Sequence, residues 1–333
     1  MHCILPSHAA AFGRRISWKD EEVPPGHDMS FKDAIHEVSA GAIIKVLVPK
    51  WAMGLTAYTR RKHMLEMIAL RRNAEKKEEK SDLFTNLLDA SADDPTFTVR
   101  DLTGNIFMFL VAGHETTGHT LCFTLALLAL YPDQQEILYQ HIKSIIPDGR
   151  LPGYEEMSQF TQSMAVFYET LRMFPSVNVV PKHSAEDTSL TLDNAAGEKY
   201  ILPIPQGTHL AISIVGMHYN PRYWKDPEEF RPARFLDPDW PRDAFLPFSG
   251  GLIPPPPPPP PPPPSPHHFV INRFAEIEAV ATLTMLVSKY KIEVKEEPQF
   301  ANETFEQRKA RVLASKPGLT MTPIRAPLVF KRR

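Results

Sequence analysis

Apolar residues recur every three to four positions along much of the chain, which is the pattern of helices that bury one side. Ser81 and Thr98 stand directly before two of these stretches as candidate N-caps, and Pro132 begins a third. The spacing predicts helices over residues 51–80, 81–88, 98–131, 132–146, 155–174 and 273–290. The stretch 155–174 contains neither Pro nor Gly, so it is one helix or two that abut.

Downstream of residue 175 the pattern changes to short segments rich in β-branched and aromatic residues, separated by turn residues. These segments predict the strands of one small sheet, at 177–180, 188–192, 200–202 and 209–215. Residues 221–247 form a stretch rich in Pro and aromatic residues, which predicts a meander. The predicted fold class is therefore mostly α with a small β region.

The composition favours a globular protein that binds small molecules. With 333 residues, 43% of them hydrophobic, the chain can bury one large core or two smaller ones. A formal net charge of -2 gives no attraction to a polyanion, so we expect no nucleic acid partner. Residues 1–18 lack the pattern of a signal peptide or membrane anchor, and we expect the chain to begin within a longer protein.

One run of the sequence is foreign to this compact pattern. Eleven of the 34 prolines are consecutive, from Pro254 to Pro264. They predict a polyproline II rod about 34 Å long that neither helix nor strand can include. We interpret the run as an insert, and the alternative is a ligand for an SH3-like or profilin-like domain, which the absence of flanking Lys or Arg disfavours.

Polar residues interrupt the centre of the long apolar helix. Glu115, Thr116 and Thr117 stand where the surrounding pattern requires burial, at a cost of about 1–3 kcal/mol for each unpaired group. Ala112 and Gly113, one turn earlier, remove bulk and let a flat ligand approach the helix. The alternative is a core helix that its Thr residues kink.

A zinc protease is excluded by spacing, because His114 and His119 are five residues apart and diverge by about 140° around the helix. Further along, Glu169 and Arg172 occupy positions i and i+3 of an otherwise apolar helix. Arg234 lies in the apolar meander, where it can complete a charged triad with them.

Four ordered motifs resemble the signature of the cytochrome P450 family of heme-thiolate monooxygenases, and the resemblance runs from about residue 81 to the end. They are Ala112-Gly113-x-Glu115-Thr116-Thr117, Glu169-x-x-Arg172, Pro232-Ala233-Arg234-Phe235 and Phe248-Ser249-Gly250-Gly251. The resemblance implies the family's fold without its N-terminal part. It also implies insertion of one oxygen atom from O2 into a small apolar substrate, with electrons from an NADPH reductase.

The resemblance also implies roles for single residues. Thr116 corresponds to the hydroxyl that helps to protonate iron-bound dioxygen, and Glu115 to the acid that supplies the protons. Glu169, Arg172 and Arg234 match the structural triad of the family. The implied heme contacts are Ala112, Gly113, Lys182, Phe248 and Gly251, and the implied substrate pocket contains Phe107, Phe109, Val177, Val179 and Val180.

The sequence departs from the family where the iron ligand is expected. The cysteine position holds Phe269, so we predict no metal ligand there and no thiolate chemistry. The chain has two cysteines, of which Cys3 belongs to no motif and Cys122 lies on the helix that faces the opposite side of the heme. His267 and His268 are an alternative pair of iron ligands, which would make a different kind of heme protein.

The predicted organisation has four parts: a helical remnant and charged linker over 1–80, a core over 81–250, the insert over 251–272 and a C-terminal helix with strands over 273–333. We interpret the chain as inactive as written, from a mispredicted gene model or a decaying gene copy. The alternative is a non-catalytic remnant or a proline-rich interaction protein. The family implies the cytosolic face of the endoplasmic reticulum, and the missing anchor implies the cytoplasm.

Overall fold

The computed structural model describes residues 83–250 and 267–333, except 95, 194–195 and 318–319, together with Leu65, Ile68 and Ala69. Within its helices, the side chains of residues 83, 107, 110, 111, 114 and 267–272 are not described. The helices are α1 (Leu83–Asp93), α2 (Val99–Leu130), α3 (Pro132–Ile145), α4 (Thr161–Met173), α5 (Ile214–His218), α6 (His267–Lys289) and α7 (Phe305–Val312). The strands are β1 (Val179–His183), β2 (Thr188–Asp193), β3 (Lys199–Ile204), β4 (His209–Ser213), β5 (Tyr290–Val294), β6 (Ser315–Lys316), β7 (Thr322–Pro323) and β8 (Leu328–Arg332).

The mostly α fold class with a small β region is confirmed, and local signals set the helix ends. Thr98 caps α2, because its hydroxyl accepts the Asp101 amide while the Asp101 carboxylate accepts the Thr98 amide. Helix α2 ends at Leu130 and α3 begins at Pro132, as the pattern predicts. The stretch 155–174 is indeed two abutting helices, a 3-10 turn over Tyr154–Gln159 and then α4.

Two predicted helix boundaries differ from the structure, and a third predicted helix is mostly outside the described residues. Helix α1 continues to Asp93 instead of residue 88, because no Pro or Gly interrupts the chain before Pro95. Helix α6 begins at His267, six residues earlier than predicted. Ser81 and most of 51–80 lie outside the described residues, although Leu65, Ile68 and Ala69 are helical.

The prediction of one small sheet is wrong, because the four strands form two separate ladders. Strand β1 pairs antiparallel with β4, and β2 pairs with β3 in a separate hairpin between them. In the described part of the chain each of these ladders has two strands. Pro181 in β1 and Pro203 in β3 carry no N–H, so they suit narrow ladders with edges on both sides.

The main core lies where the C-terminal half of α2 meets α3, α4 and α6. Its members include Leu121, Leu127, Leu138, Ile142, Val166, Phe167, Ala279, Leu283 and Val287. The rings of Phe123 and Phe174 stack with centroids 4.4 Å apart. Tyr168 of α4 donates its hydroxyl to Glu276 of α6 at 2.5 Å, so the two helices are tied at the edge of the core. No described helix combines the length and hydropathy needed to cross a bilayer.

Gln135 joins three elements through one buried amide. Its Nε2 donates to the carbonyls of Leu128 and Ile292 at 2.8 and 2.9 Å, and its Oε1 accepts the Ile292 amide at 2.8 Å. The side chain thereby connects α3 to the end of α2 and to β5. The residue is 1% exposed, so water cannot replace these bonds.

We predict that Gln135→Ala lowers the free energy of unfolding by about 2–3 kcal/mol, because it leaves buried backbone groups of Leu128 and Ile292 unpaired. The adjacent Gln134 provides a matched control, since its amide reaches only exposed Asp133. Gln134→Ala should change the stability by less than about 0.5 kcal/mol. Urea unfolding of both variants measures the difference, and equal effects would contradict the role of Gln135.

Candidate functional site

A buried ion pair lies on one side of α4. Arg172 donates from Nε to Glu169 Oε2 at 2.7 Å and from a terminal nitrogen to Oε1 at 3.0 Å. Both side chains are fully buried. The spacing of three residues places them on the same side of the helix, and the apolar residues around them give that side no access to water.

Arg234 reaches the same carboxylate from the meander. Its Nε donates to Glu169 Oε1 at 3.0 Å, and its terminal nitrogens donate to the carbonyls of Lys225, Asp226 and Glu229. The structure thus brings together the three charged residues that the sequence motifs had singled out. We call Glu169, Arg172 and Arg234 the ion cluster.

The charged groups of the ion cluster also make hydrogen bonds to backbone groups and a contact with an aromatic ring. Glu169 also accepts the backbone amide of Arg231 at 2.8 Å, while Arg172 donates to the carbonyl of His218 at 3.0 Å. The guanidinium of Arg172 lies 5.6 Å from the ring centre of Trp224. A buried ion pair repays its loss of hydration only when its remaining hydrogen-bonding groups are satisfied. The cluster meets that condition and fixes the meander against α4.

His218 belongs to none of the four motifs, and it connects the ion cluster to the segment before Phe248. Its Nδ1 is 3.1 Å from the carbonyl of Arg172, and its Nε2 accepts the amide of Leu246 at 3.0 Å. Because a carbonyl only accepts and an amide only donates, the neutral ring with its proton on Nδ1 fits both bonds. Burial, together with the charge of Arg172, lowers the pKa of His218 to about 4.

The residues expected at a ligand-facing surface lie along one side of α2. Ala112 is exposed, and a Cβ added to Gly113 would meet no atom within 4 Å. Glu115 and Thr116 follow one turn later, both partly buried, and the Thr116 hydroxyl donates to the carbonyl of Ala112 at 2.5 Å. The helix is continuous through these positions, and its centre has open space beside it.

Two distant segments contribute polar groups to this side of α2. Thr320, between β6 and β7, donates its hydroxyl to Glu115 Oε1 at 2.9 Å and lies 2.9 Å from Nδ1 of His119. Ser176, directly after α4, lies 3.0 Å from the hydroxyl of Thr120, and its carbonyl accepts the Met321 amide at 3.0 Å. Neither Thr320 nor Ser176 belongs to one of the four motifs, and no pattern in the sequence singles them out.

Apolar side chains occur on α2 before Gly113 and in the segment that follows Ser176. Val177 and Val179 are exposed to 38% and 48%, and Val180 and Phe109 are partly buried. Large exposed apolar residues at the start of β1 are consistent with a surface that an apolar ligand can cover. The side chain of Phe107 is not described, although its backbone lies in α2.

The remaining expected residues are only partly described. Lys182 is exposed on β1, and Phe248 packs against the main core. Gly251 and the proline run lie outside the described residues, so the predicted extended rod stays a prediction. Phe269 lies in the first turn of α6, and its side chain is not described.

The described residues form a mostly helical protein whose long helix α2 has open space at Gly113 and a polar contact at Glu115. A family model described as cytochrome P450 matches residues 29–252. Cytochrome P450 monooxygenase 124 of Postia placenta is 55% identical over 340 residues, which are 97% of this chain and 63% of that protein. Cytochrome P450 monooxygenase prx9 of Penicillium rubens is 29% identical, over 68% of this chain and 45% of that protein.

The chain belongs to the cytochrome P450 family. It is also 33% identical to cytochrome P450 3A17 of Cavia porcellus over 50% of its length, which is 32% of that protein. The chain spans less than two thirds of the length of each of these relatives.

The family implies a heme. The residues of α2 leave space for one face of such a group, but the loop expected at the other face has no cysteine. The exposed Ala112 and the open space at Gly113 leave room for a flat group beside α2. On the other side, the sequence between Gly251 and Arg273 contains no cysteine. Cys122 is partly buried on α2, the helix that also carries Thr116. The residues therefore do not fit a thiolate-ligated heme.

We predict that Glu169→Gln lowers the free energy of unfolding by about 3–5 kcal/mol, because two guanidinium groups then lack their buried counter-charge. Arg231→Met is the control, since its side chain pairs with Asp226 and Glu229 at the surface and is 39% exposed. That variant should lose no more than about 1 kcal/mol. A loss below about 1 kcal/mol for Glu169→Gln in chemical unfolding would show that the ion cluster does not stabilise the fold.

We predict that stability falls with acidification through His218. Its folded pKa of about 4 lies below its ordinary value of 6.5, so below pH 6.5 the unfolded chain binds a proton that the folded chain does not. The stabilisation is present above pH 6.5 and is lost as the pH falls to 4, by about 3 kcal/mol in total. Unfolding of the native chain and of His218→Asn between pH 7 and 5 measures it, and identical slopes would contradict the assignment.

Proposed function

We propose that this chain carries the scaffold and the ligand-facing helix of a cytochrome P450 monooxygenase, and that as written it does not form the family's thiolate-ligated heme. The observation that carries the proposal is the content of the segment between Phe248 and Arg273. It includes Leu252, Ile253 and eleven consecutive prolines but no cysteine, while the elements on both sides retain the family's motifs. A cysteine thiolate on the heme iron would favour O–O cleavage, so a chain without that ligand would lack this chemistry.

The family role of the scaffold is insertion of one oxygen atom from O2 into an apolar organic substrate, with electrons from an NADPH reductase. In this assignment Thr116 and Glu115 are the hydroxyl and the acid beside the reaction site. Val177, Val179 and Val180, with Phe107 and Phe109, line the substrate side, and their apolar character favours an apolar substrate. The family places this activity at the cytosolic face of the endoplasmic reticulum.

The heme contacts in this assignment are Ala112 and Gly113 on the helix, Lys182 on β1, and Phe248 with Gly251 on the loop. The open space at Gly113 supports the first pair. Lys182 is exposed and carries a single positive charge, which suits a propionate group without the two parallel bonds that an arginine offers. The ion cluster supports this arrangement by fixing the meander that leads to Phe248.

The proline run replaces the loop that should provide the ligand, and we attribute it to a mispredicted gene model or a decaying gene copy. Sequencing the transcript across Gly251 to Arg273 tests this origin directly. A transcript that encodes a cysteine in this segment would show that the gene model is mispredicted. A transcript that encodes the proline run would show that the run belongs to the gene itself, as in a decaying copy. The alternative role of the run as a ligand for an SH3-like or profilin-like domain is disfavoured by the absence of flanking Lys or Arg.

We predict that the purified chain, supplied with hemin, reduced and exposed to carbon monoxide, shows no thiolate-type Soret band, because Phe269 cannot bind iron. The comparison is a variant in which Leu252–Asn272 is replaced by a short family-like loop with one cysteine. A thiolate-type band from the unaltered chain would refute the proposal. An imidazole-type band that is lost on replacing His267 and His268 by Ala would replace it with a histidine-ligated heme protein.

A further inference from the structure

A hydroxyl group connects two titratable side chains of α2. Thr320 donates to Glu115 Oε1 at 2.9 Å, and its oxygen lies 2.9 Å from Nδ1 of His119. Glu115 and His119 are four residues apart and share one side of the helix. Thr320 approaches from a segment 205 residues later in the chain than Glu115, and it is 4% exposed.

The chemistry of these groups fixes the direction of the hydrogen bonds. A carboxylate only accepts, so the Thr320 proton points toward Glu115. The Thr320 oxygen then accepts the proton on Nδ1 of His119, which leaves Nε2 unprotonated in the neutral ring. No described residue bonds that nitrogen, and the ring is only partly buried, so Nε2 can exchange protons with solvent.

The environment of His119 favours the neutral ring. Burial lowers the pKa of His119 below its ordinary value of 6.5, and the negative charge of Glu115 opposes that shift. Among the described residues, Glu115 is the charged group that acts on this ring. A neutral imidazole with one nitrogen toward solvent and the other toward a hydroxyl can accept a proton at one side and release one at the other.

We propose that His119 and Thr320 form a proton path from solvent to Glu115. The inference rests on the proposed role of Glu115 as the acid of the site. A proton from water binds His119 Nε2 while the Nδ1 proton moves to the Thr320 oxygen. The hydroxyl proton of Thr320 moves to Glu115 Oε1, so the carboxylate becomes a carboxylic acid and one solvent proton is consumed. His119 is then neutral with its proton on Nε2. Once Glu115 has released its proton, rotation of the ring exposes Nδ1 to water, where Nδ1 gains a proton and Nε2 loses one, and rotation back restores the first arrangement.

A simpler role for Thr320 is to hold its segment against α2. The backbone already performs that role next to it, because the Met321 amide donates to the Ser176 carbonyl at 3.0 Å and Ser176 in turn contacts Thr120. A hydroxyl directed at Glu115 is therefore not required for attachment. The two roles are separable by experiment, since only the proton path needs the Thr320 hydroxyl and the Glu115 carboxylate together.

The test is nitrogen NMR of the histidine rings in the full chain without heme at pH 7.5, with His119→Gln used to identify the His119 signals. In the native chain we expect Nδ1 of His119 at the protonated position and Nε2 at the unprotonated position. Thr320→Val should move the Nδ1 signal toward the unprotonated position, and Thr320→Ser should preserve the native pattern. Glu115→Gln should mix the two forms, because the Thr320 hydroxyl then no longer has an acceptor-only partner.

Amide exchange at Met321 is the control, and it should stay protected in Thr320→Val because its bond to Ser176 is independent of the hydroxyl. An unchanged His119 pattern in Thr320→Val would overturn the proposal. A native pattern in Glu115→Gln would also overturn it, since Glu115 would then not set the direction of the hydroxyl. A thiolate-type carbonyl band would refute the proposed function without affecting these signals, so the two failures are distinguishable.

Discussion

The fold depends on one buried carboxylate. Glu169 is fully buried, and a charge in that position is tolerated only if every lone pair has a donor and the charge is neutralised nearby. Arg172 satisfies it from the same helix, whereas Arg234 and the Arg231 amide satisfy it from the meander. The meander therefore has a defined position although it contains little regular structure. The chain after it, through Leu246 to Phe248, takes its position from the same cluster by way of His218.

This arrangement explains how a scaffold of the family can accompany a loop that lacks the family's ligand. The ion cluster is completed by α4 and the meander, and the main core is completed by α2, α3, α4 and α6. The contacts given for both join residues of the described part of the chain, 83–250 and 267–333. The contacts that stabilise the fold and the loop that would bind the heme iron therefore lie in different segments of this chain. In the proposed assignment the loop without a cysteine lacks the thiolate, while the described contacts of the ion cluster and the main core are present.

Within helix α2, too, the residues that stabilise the fold and the residues of the candidate site lie in different parts. Its C-terminal half is buried in the main core, while its centre carries Ala112, Gly113 and Glu115 beside open space. The polar groups there are bonded to segments that arrive from far along the chain, Ser176 after α4 and Thr320 after α7. A long regular helix can serve both the core and the candidate site, because it holds side chains at fixed positions without depending on loops.

The sequence by itself determined the local features. Helix ends followed from Thr98 and Pro132, because a cap or a missing N–H acts within one helical turn. The pairing of Glu169 with Arg172 followed from their spacing, and the order of the motifs indicated the family. Tertiary structure alone decided that β1 pairs with β4, that His218 joins α4 to Leu246, and that Thr320 contacts Glu115. These contacts join residues that are distant in the chain, and such contacts depend on how whole elements pack, which local spacing does not encode.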